Sequence, residues 1–337
     1  MTKGTGLPDI KELEQRIFRI GSQEDFQQAA WWAFLYQYEA NPIYRQFCDL
    51  LKADPQKVRG LDQVPFLPVE MFKNHRILAG NQTWEKVFRS SGTTGMERSS
   101  HHIHRLEQYR KSFLKGFEYF YGPVQDYCLL ALLPGYADNP DSSLIYMVQE
   151  LIREGGHPDS GFFLEDPGRL ADQLKQLEKR GQKTLLLGVS FALLDMAERY
   201  QVPLKNTIVM ETGGMKGRRA EITREELHHK LMKSFDLQSI HSEYGMAELL
   251  SQAYSQGGGR FQTPPWMKVF IRDYYDPFHL LEPGKSGGIN IIDLANLHSC
   301  PFIETKDIGR LHPNGSFEVL GRFDNSDIRG CNLLSDI

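Results

Sequence analysis

Apolar positions along this chain follow two different rhythms. Over the first eighty residues they recur at helical spacing. Ile10 to Ile20 repeats every three to four positions, and Gln23 to Tyr38 carries Phe26, Trp31, Trp32, Phe34, Tyr36 and Tyr38. That aromatic set reads as packing surface. Pro55, Pro65 and Pro68 then break helix formation ahead of Val69 to Lys73. From about Val87, short apolar runs alternate with polar stretches of helical length, the pattern of an α/β core. The expected strands are Trp84 to Phe88, Tyr127 to Leu133, Thr184 to Val189, Thr207 to Glu211 and Ser239 to His241. The expected helices are Arg105 to Phe120, Asp141 to Glu154, Pro167 to Arg180, Ala192 to Tyr200 and Thr223 to Phe235. The last opens with Thr223 and Glu226 at capping-box spacing. Gly257-Gly258-Gly259 marks a loop, and Met267 to Arg272, Gly288 to Asp293 and Ser316 to Leu320 read as β-rich. Three regions follow: a helical segment over 1–80, an α/β core over 81–260, and a β-rich subdomain over 261–337.

At 337 residues, 40% hydrophobic and 24% charged, the chain has the composition of a globular protein. A net charge of −4 gives no electrostatic reason to expect nucleic acid or an anionic membrane as partner. No apolar run has membrane-spanning length, and the polar start lacks a signal-peptide core, so a cytoplasmic location is expected. Cys48, Cys128, Cys300 and Cys331 lie far apart with no CxxC pair, which suits reduced thiols.

Chemistry-bearing residues gather at five stations. Ser90-Ser91-Gly92-Thr93-Thr94-Gly95 follows an expected strand; its hydroxyls, and N–H groups freed by glycine turns, suit phosphate oxygens. No Gly-Lys-Ser/Thr follows, so it is not a Walker A loop. Glu211 to Gly217, with Gly213, Gly214 and Met215, lets backbone approach a flat ligand. Glu243-Tyr244-Gly245-Met246-Ala247-Glu248 offers a ring for a base and a hard oxygen ligand for Mg²⁺. Asp307 suits sugar hydroxyls, with a plain turn as its alternative. Gly321-Arg322-Phe323-Asp324 leads into Asp327 to Cys331.

Taken in order, these stations resemble the adenylate-forming superfamily, over roughly residues 65 to 337. Ser90 to Gly95 matches its phosphate loop, Tyr244 to Glu248 its aromatic-glycine motif, Asp307 its ribose-binding Asp, and Gly321-Arg322-x-Asp324 its hinge. The resemblance implies its N-terminal-type α/β fold and an ATP and Mg²⁺ requirement. It also implies a nucleotide-contacting set of Ser90, Ser91, Gly92, Thr93, Thr94, Gly95, Arg98, Gly213, Gly214, Met215, Glu243, Tyr244, Gly245, Met246, Asp307 and Arg322. Glu248 and Thr94 would hold the metal.

Two departures narrow the likeness. The loop lysine is missing, with Arg98 the nearest cation, and the sequence ends seven residues after Gly330, where the superfamily adds a mobile C-terminal domain. With Pro65 to Lys73, both look like the LuxE-type acyl-protein synthetases. That family implies activation of a fatty acid as acyl-AMP, loading onto a C-terminal cysteine, here Cys331, and transfer to a partner such as a fatty acyl reductase.

The chemistry is coherent. A carboxylate has no leaving group for thiol attack until adenylation supplies AMP, so covalent catalysis divides one hard step into two. Cys331, Glu248 and Arg322 are the candidate catalytic groups, Cys331 having Arg329 nearby to favour its thiolate. Its alternative is a small buried residue, the reading given to Cys48, Cys128 and Cys300. Glu248 also suits the first turn of a helix. His101-His102-Ile103-His104 has no acidic or Cys partner at zinc-like spacing and reads as a solvated or phosphate-facing cluster. Ser190, Phe191 and Met215 are candidates for an acid pocket. Two other functions fit the residues less fully: an acyl- or aryl-CoA ligase, and a non-catalytic acyl-adenylate-binding module.

Overall fold

The computed structural model describes residues 9–90, 98–135, 139–213 and 222–323. The chain divides into two compact units, one of residues 82–264 and one of residues 1–81 with 265–337.

The 82–264 unit is built on a six-stranded sheet. Its strands run in the order Gly161–Phe162, Cys128–Leu132, Thr184–Val189, Thr207–Thr212, His241–Tyr244 and Ala253–Ser255. The first five are parallel; the last pairs antiparallel. Cys128–Leu132 and Thr184–Val189 are buried at every position, as befits central parallel strands covered on both faces. Helices Leu106–Tyr121, Ser143–Gly155, Pro167–Lys179, Ser190–Arg199 and Arg224–Phe235 connect them. Thr223 caps the last helix, its hydroxyl accepting from the Glu226 amide at 3.1 Å. A separate hairpin pairs Lys86–Arg89 with Ser100–Ile103.

In the other unit, Leu67–Pro68, Phe302–Leu311, Ser286–Asp293 and Met267–Arg272 form a sheet in that order, and Phe317–Arg322 also pairs with Phe302–Leu311. Helices Gln23–Ala40 and Pro42–Leu50 are tied to this unit by buried amides. Gln37 donates to the Leu297 carbonyl at 2.7 Å and Asn41 to that of Ser299 at 2.9 Å. Phe34, Tyr44, Phe66 and Phe302 form one aromatic cluster, with the Tyr44 and Phe302 rings stacked at 5.9 Å. Phe26 and Phe34 are core, whereas Trp31, Trp32, Tyr36 and Tyr38 are half-buried.

Three of the differences between sequence and structure bear on the expected site. The strand expected at Ser239 to His241 runs from His241 to Tyr244. Asp307 stands inside the ten-residue strand Phe302–Leu311 rather than in a turn. No helix follows Tyr244, so Glu248 is not a first-turn acid; it is buried in an irregular stretch.

Candidate functional site

Parallel sheets offer ligands the carboxyl ends of their strands, and in the 82–264 unit several expected residues stand there. The Thr207–Thr212 strand ends on Glu211 and Thr212, followed by Gly213 at φ 68°, a left-handed conformation that suits glycine. Its neighbour ends on Glu243 and Tyr244, which lead to exposed Gly245. The Gly245 backbone lies so close to Glu243 that a Cβ there would sit 2.5 Å from the carboxyl Oε1. Tyr244 packs edge-on to Phe261 at 5.9 Å, and its hydroxyl is 3.8 Å from the Met246 sulfur.

The hairpin at Lys86–Ile103 brings a second station to the same unit. Ser90 and Ser99 close its neck: the Ser90 amide donates to the Ser99 carbonyl at 3.2 Å and the Ser99 amide to the Ser90 hydroxyl at 3.1 Å. Two residues further, fully buried His101 donates from Nδ1 to the carbonyl of Ala247 at 2.8 Å, fastening the hairpin to the Tyr244–Glu248 motif. His101 is therefore not a solvated histidine. His104 donates to the Thr83 carbonyl at 2.7 Å, and His102 meets Trp84 edge-on. Ser91, Gly92, Thr93, Thr94, Gly95, Gly214, Met215 and Cys331 lie outside the described residues, as does Asp324. Arg98 is exposed.

Beneath these turns sits a polar cluster that sequence reasoning passed over. Glu211 is 3% exposed. Its Oε1 is 3.1 Å from Arg224 Nε and 3.6 Å from His228 Nε2, and its Oε2 accepts from Ser190 Oγ at 3.3 Å. Burial opposes its charge, but hydrogen bonding from His228 and the Arg224 cation keep its carboxyl below the ordinary value. Ser190 also donates to the Gly213 carbonyl at 2.9 Å, linking the cluster to the glycine turn. Glu243 has the opposite fate. Buried and near Glu211, it is pushed up to about 7 even though the Thr212 hydroxyl donates to it. Burial, with His228 nearby, presses His241 down to about 4. Sequence places Glu211 at the head of a glycine turn, but no local pattern announces its partners at Arg224 and His228.

The 265–323 region holds the other two stations. Asp307 and Arg322 are cross-strand neighbours, with Arg322 Nε 3.8 Å from the Asp307 carboxylate. Arg272, nearly buried, lies behind them. Its guanidinium donates to the Ile289 and Thr305 carbonyls and to Asn290 Oδ1 at 2.8–3.0 Å, and sits over the Phe323 ring at 5.6 Å. Gly288 makes room for it, since a Cβ there would meet the guanidinium. Cys48, Cys128 and Cys300 are buried, and burial raises their thiols, to about 12 for Cys48 and about 11 for Cys128. Among the described residues, no group of three His, Cys, Asp or Glu side chains is arranged to hold a metal, and no helix is long and apolar enough to cross a membrane.

Residues 20–148 match the model of the family described as acyl-protein synthetase, LuxE. The chain is 25% identical over 328 residues to the long-chain-fatty-acid–luciferin-component ligase of Vibrio harveyi, covering 89% of this chain and 84% of that one. The resemblance is to the LuxE family. Solved adenylate-forming enzymes share its fold. An open form of 2-hydroxyisobutyryl-CoA ligase, complexed with its acyl-AMP and CoA, superposes with a TM-score of 0.61 at 12% identity, over 96% of this chain and 81% of that one. ATP-bound MatB from Rhodopseudomonas palustris gives 0.55 at 16% identity over 70% of this chain; the match spans 47% of MatB, about half its length. At such identities the likeness is one of fold, and the LuxE-like chain has the N-terminal-type fold of adenylate-forming enzymes.

Proposed function

We propose that this chain is an acyl-protein synthetase: it activates a carboxylic acid, foremost a long-chain fatty acid, with ATP, and carries the acyl group on Cys331 to an acceptor protein such as a fatty acyl reductase. The observation that carries the reading is the His101–Ala247 hydrogen bond. It joins the neck of the phosphate-loop hairpin to the aromatic-glycine motif across 146 positions of sequence, two stations that a nucleotide needs together. The donor sets suit their ligands. Exposed Gly245 and left-handed Gly213 leave backbone open beside Tyr244, as a flat base requires. Mg²⁺ commonly takes one or two protein carboxylates plus substrate phosphates, a role for which the Glu248 carboxylate is the candidate, with Thr94 as the companion that the resemblance implies.

In the first half-reaction a carboxylate oxygen attacks the α-phosphorus of ATP; the bond to the β-phosphate oxygen breaks and pyrophosphate leaves. Bound Mg²⁺ would neutralise charge on the phosphates. The loop hydroxyls and N–H groups would orient the phosphates and Tyr244 would seat the adenine, while the resemblance assigns the ribose hydroxyls to Asp307 and a further positive charge to Arg322. In the second, the Cys331 thiolate attacks the acyl carbon, the carbon–oxygen bond to AMP breaks, and AMP departs with the electron pair.

The test is to incubate the full chain with MgATP and fatty acids of graded length, following pyrophosphate release and intact mass. Pyrophosphate release with an acyl adduct that hydroxylamine removes is expected, and Cys331→Ser should keep the first and lose the second. Adduct formation on the serine variant would remove Cys331 from the mechanism; absence of pyrophosphate with every acid would end the reading.

A further inference from the structure

Glu243, one of the residues that the resemblance assigns to nucleotide contact, stands where two stations meet inside the 82–264 unit. It is the parallel neighbour of Thr212 and the antiparallel neighbour of Tyr254. Its carboxyl group, 8% exposed as a residue, is hydrogen-bonded on one oxygen to the Thr212 hydroxyl, and its other oxygen lies directly under the Gly245 backbone. The carboxyl thus fills the gap between the end of one strand and the turn that follows the next. The titratable groups facing it are Glu211 on the adjoining strand, Tyr254 on the opposite one, and Tyr121 from helix Leu106–Tyr121. Arg224 and His228 pair with Glu211, and His228 also meets the Ser242 hydroxyl. Among the described residues, the groups that act on Glu243 are the Thr212 hydroxyl and the Glu211 carboxylate.

Burial is what chiefly opposes a charge on Glu243, the Glu211 charge adds to it, and unequal surroundings decide which of the two carboxyls keeps its proton. Glu211, with Arg224, His228 and Ser190, takes the charge. Glu243, with a threonine hydroxyl and two phenols, keeps the proton to about 7.

We propose that Glu243 is a positioning residue whose neutral carboxyl holds the Tyr244–Gly245 turn at its working distance from the Thr212–Gly213 strand end, and that loss of its proton loosens this turn for nucleotide. The inference rests on the adenylation reading, in that the nucleotide is the ligand the turn seats. An ionised Glu243 would draw solvent toward a buried carboxylate and repel Glu211. The movement falls on the segment nearest the surface, which is Gly245.

AMP is the probe. Its affinity for the full chain is measured by calorimetry at about pH 6 and about pH 8.5, either side of the Glu243 titration, for wild type, Glu243→Gln and Glu243→Ala. Glutamine keeps the shape and neutrality of the protonated acid. Wild type is expected to lose about tenfold in affinity between the two pH values, the equivalent of about 1.4 kcal/mol. Glu243→Gln should match wild type at the lower pH and change less than about twofold, well within one such step, while Glu243→Ala should bind weakly at both. A glutamine variant that retains the alkaline loss, or that binds as weakly as alanine, overturns the proposal. If the alanine variant does not fold, the glutamine comparison decides alone. AMP binding with this pH pattern, but no pyrophosphate release with any acid, would sink the adenylation reading and leave Glu243 in place. Pyrophosphate release with pH-independent AMP affinity would do the reverse. Failure of AMP to bind wild type at either pH would end both.

Discussion

Replacing Arg224 by methionine, which keeps the aliphatic stem and removes the charge, should destabilise the 82–264 unit by about 3 kcal/mol, in line with breaking a buried ion pair from one side. At the observed 3.1 Å, and with an effective dielectric of about 20, the attraction between Arg224 and Glu211 is about 5 kcal/mol. The Arg224 side chain is 30% exposed and Glu211 retains His228 and Ser190, so roughly half of that should be felt. Loss of the guanidinium over the Phe261 ring, now at 5.1 Å, adds a smaller part. Guanidinium chloride unfolding should show a lower midpoint with an unchanged slope, because burial is the same. The sign of the pH dependence follows from Glu211. Its folded carboxyl sits below the ordinary value, so its stabilisation is present above the unfolded value near 4.3 and is lost as pH falls through the folded one. The deficit of the variant should therefore be large at neutral pH and shrink in acid. Adding Glu211→Gln to Arg224→Met should recover more than about 1 kcal/mol, since the two residues are in contact. A loss below about 0.5 kcal/mol, the level of ordinary surface changes, or a deficit indifferent to both pH and Glu211→Gln, would refute the reasoning.

Glu243 and His241 should bend the stability profile in opposite directions. Glu243, raised from 4.5 to about 7, binds its proton more tightly when folded, so stability should fall as pH rises across that window. Glu243→Gln should remove a decline of about 3 kcal/mol, at 1.36 kcal/mol per pH unit, in unfolding curves taken across that range. His241, lowered from 6.5 to about 4, gives stability that is lost as pH falls from 6.5 to about 4, and His241→Gln should flatten that limb. Gly288→Ala should cost about 1–3 kcal/mol through overpacking against the pinned Arg272 guanidinium, read by thermal unfolding. His101→Ala should cost about 1–3 kcal/mol by orphaning the Ala247 carbonyl, and should raise the KM for ATP in the pyrophosphate assay.

The same physics governs which elements could be read from sequence. Thr184–Val189 was located to the residue because a central parallel strand is apolar on both faces, so its pattern needs no partner to be recognised. The sequence pattern places the strand at Ser239 to His241 instead of His241–Tyr244 because His241, Ser242 and Glu243 look like loop residues. Their burial depends on Tyr121, His228 and Thr212, contributed by three other elements. Phe302–Leu311 is illegible for a related reason: Thr305, Lys306 and Asp307 break its alternation at a register shift, and its parallel partner Leu67–Pro68 lies more than two hundred positions away. The five stations could be ordered from their glycines and acids, yet neither the Glu211 cluster nor the His101–Ala247 bond has any local signature. Strands whose pattern fails are thus those carrying buried polar groups with distant partners. A sequence tolerates such groups where their charge or hydrogen bonding is needed, so the misread segments themselves mark where variants should alter function at modest loss of stability. His101, Glu243 and Asp307 all lie on such segments, whereas substitutions in Thr184–Val189 should act on stability alone.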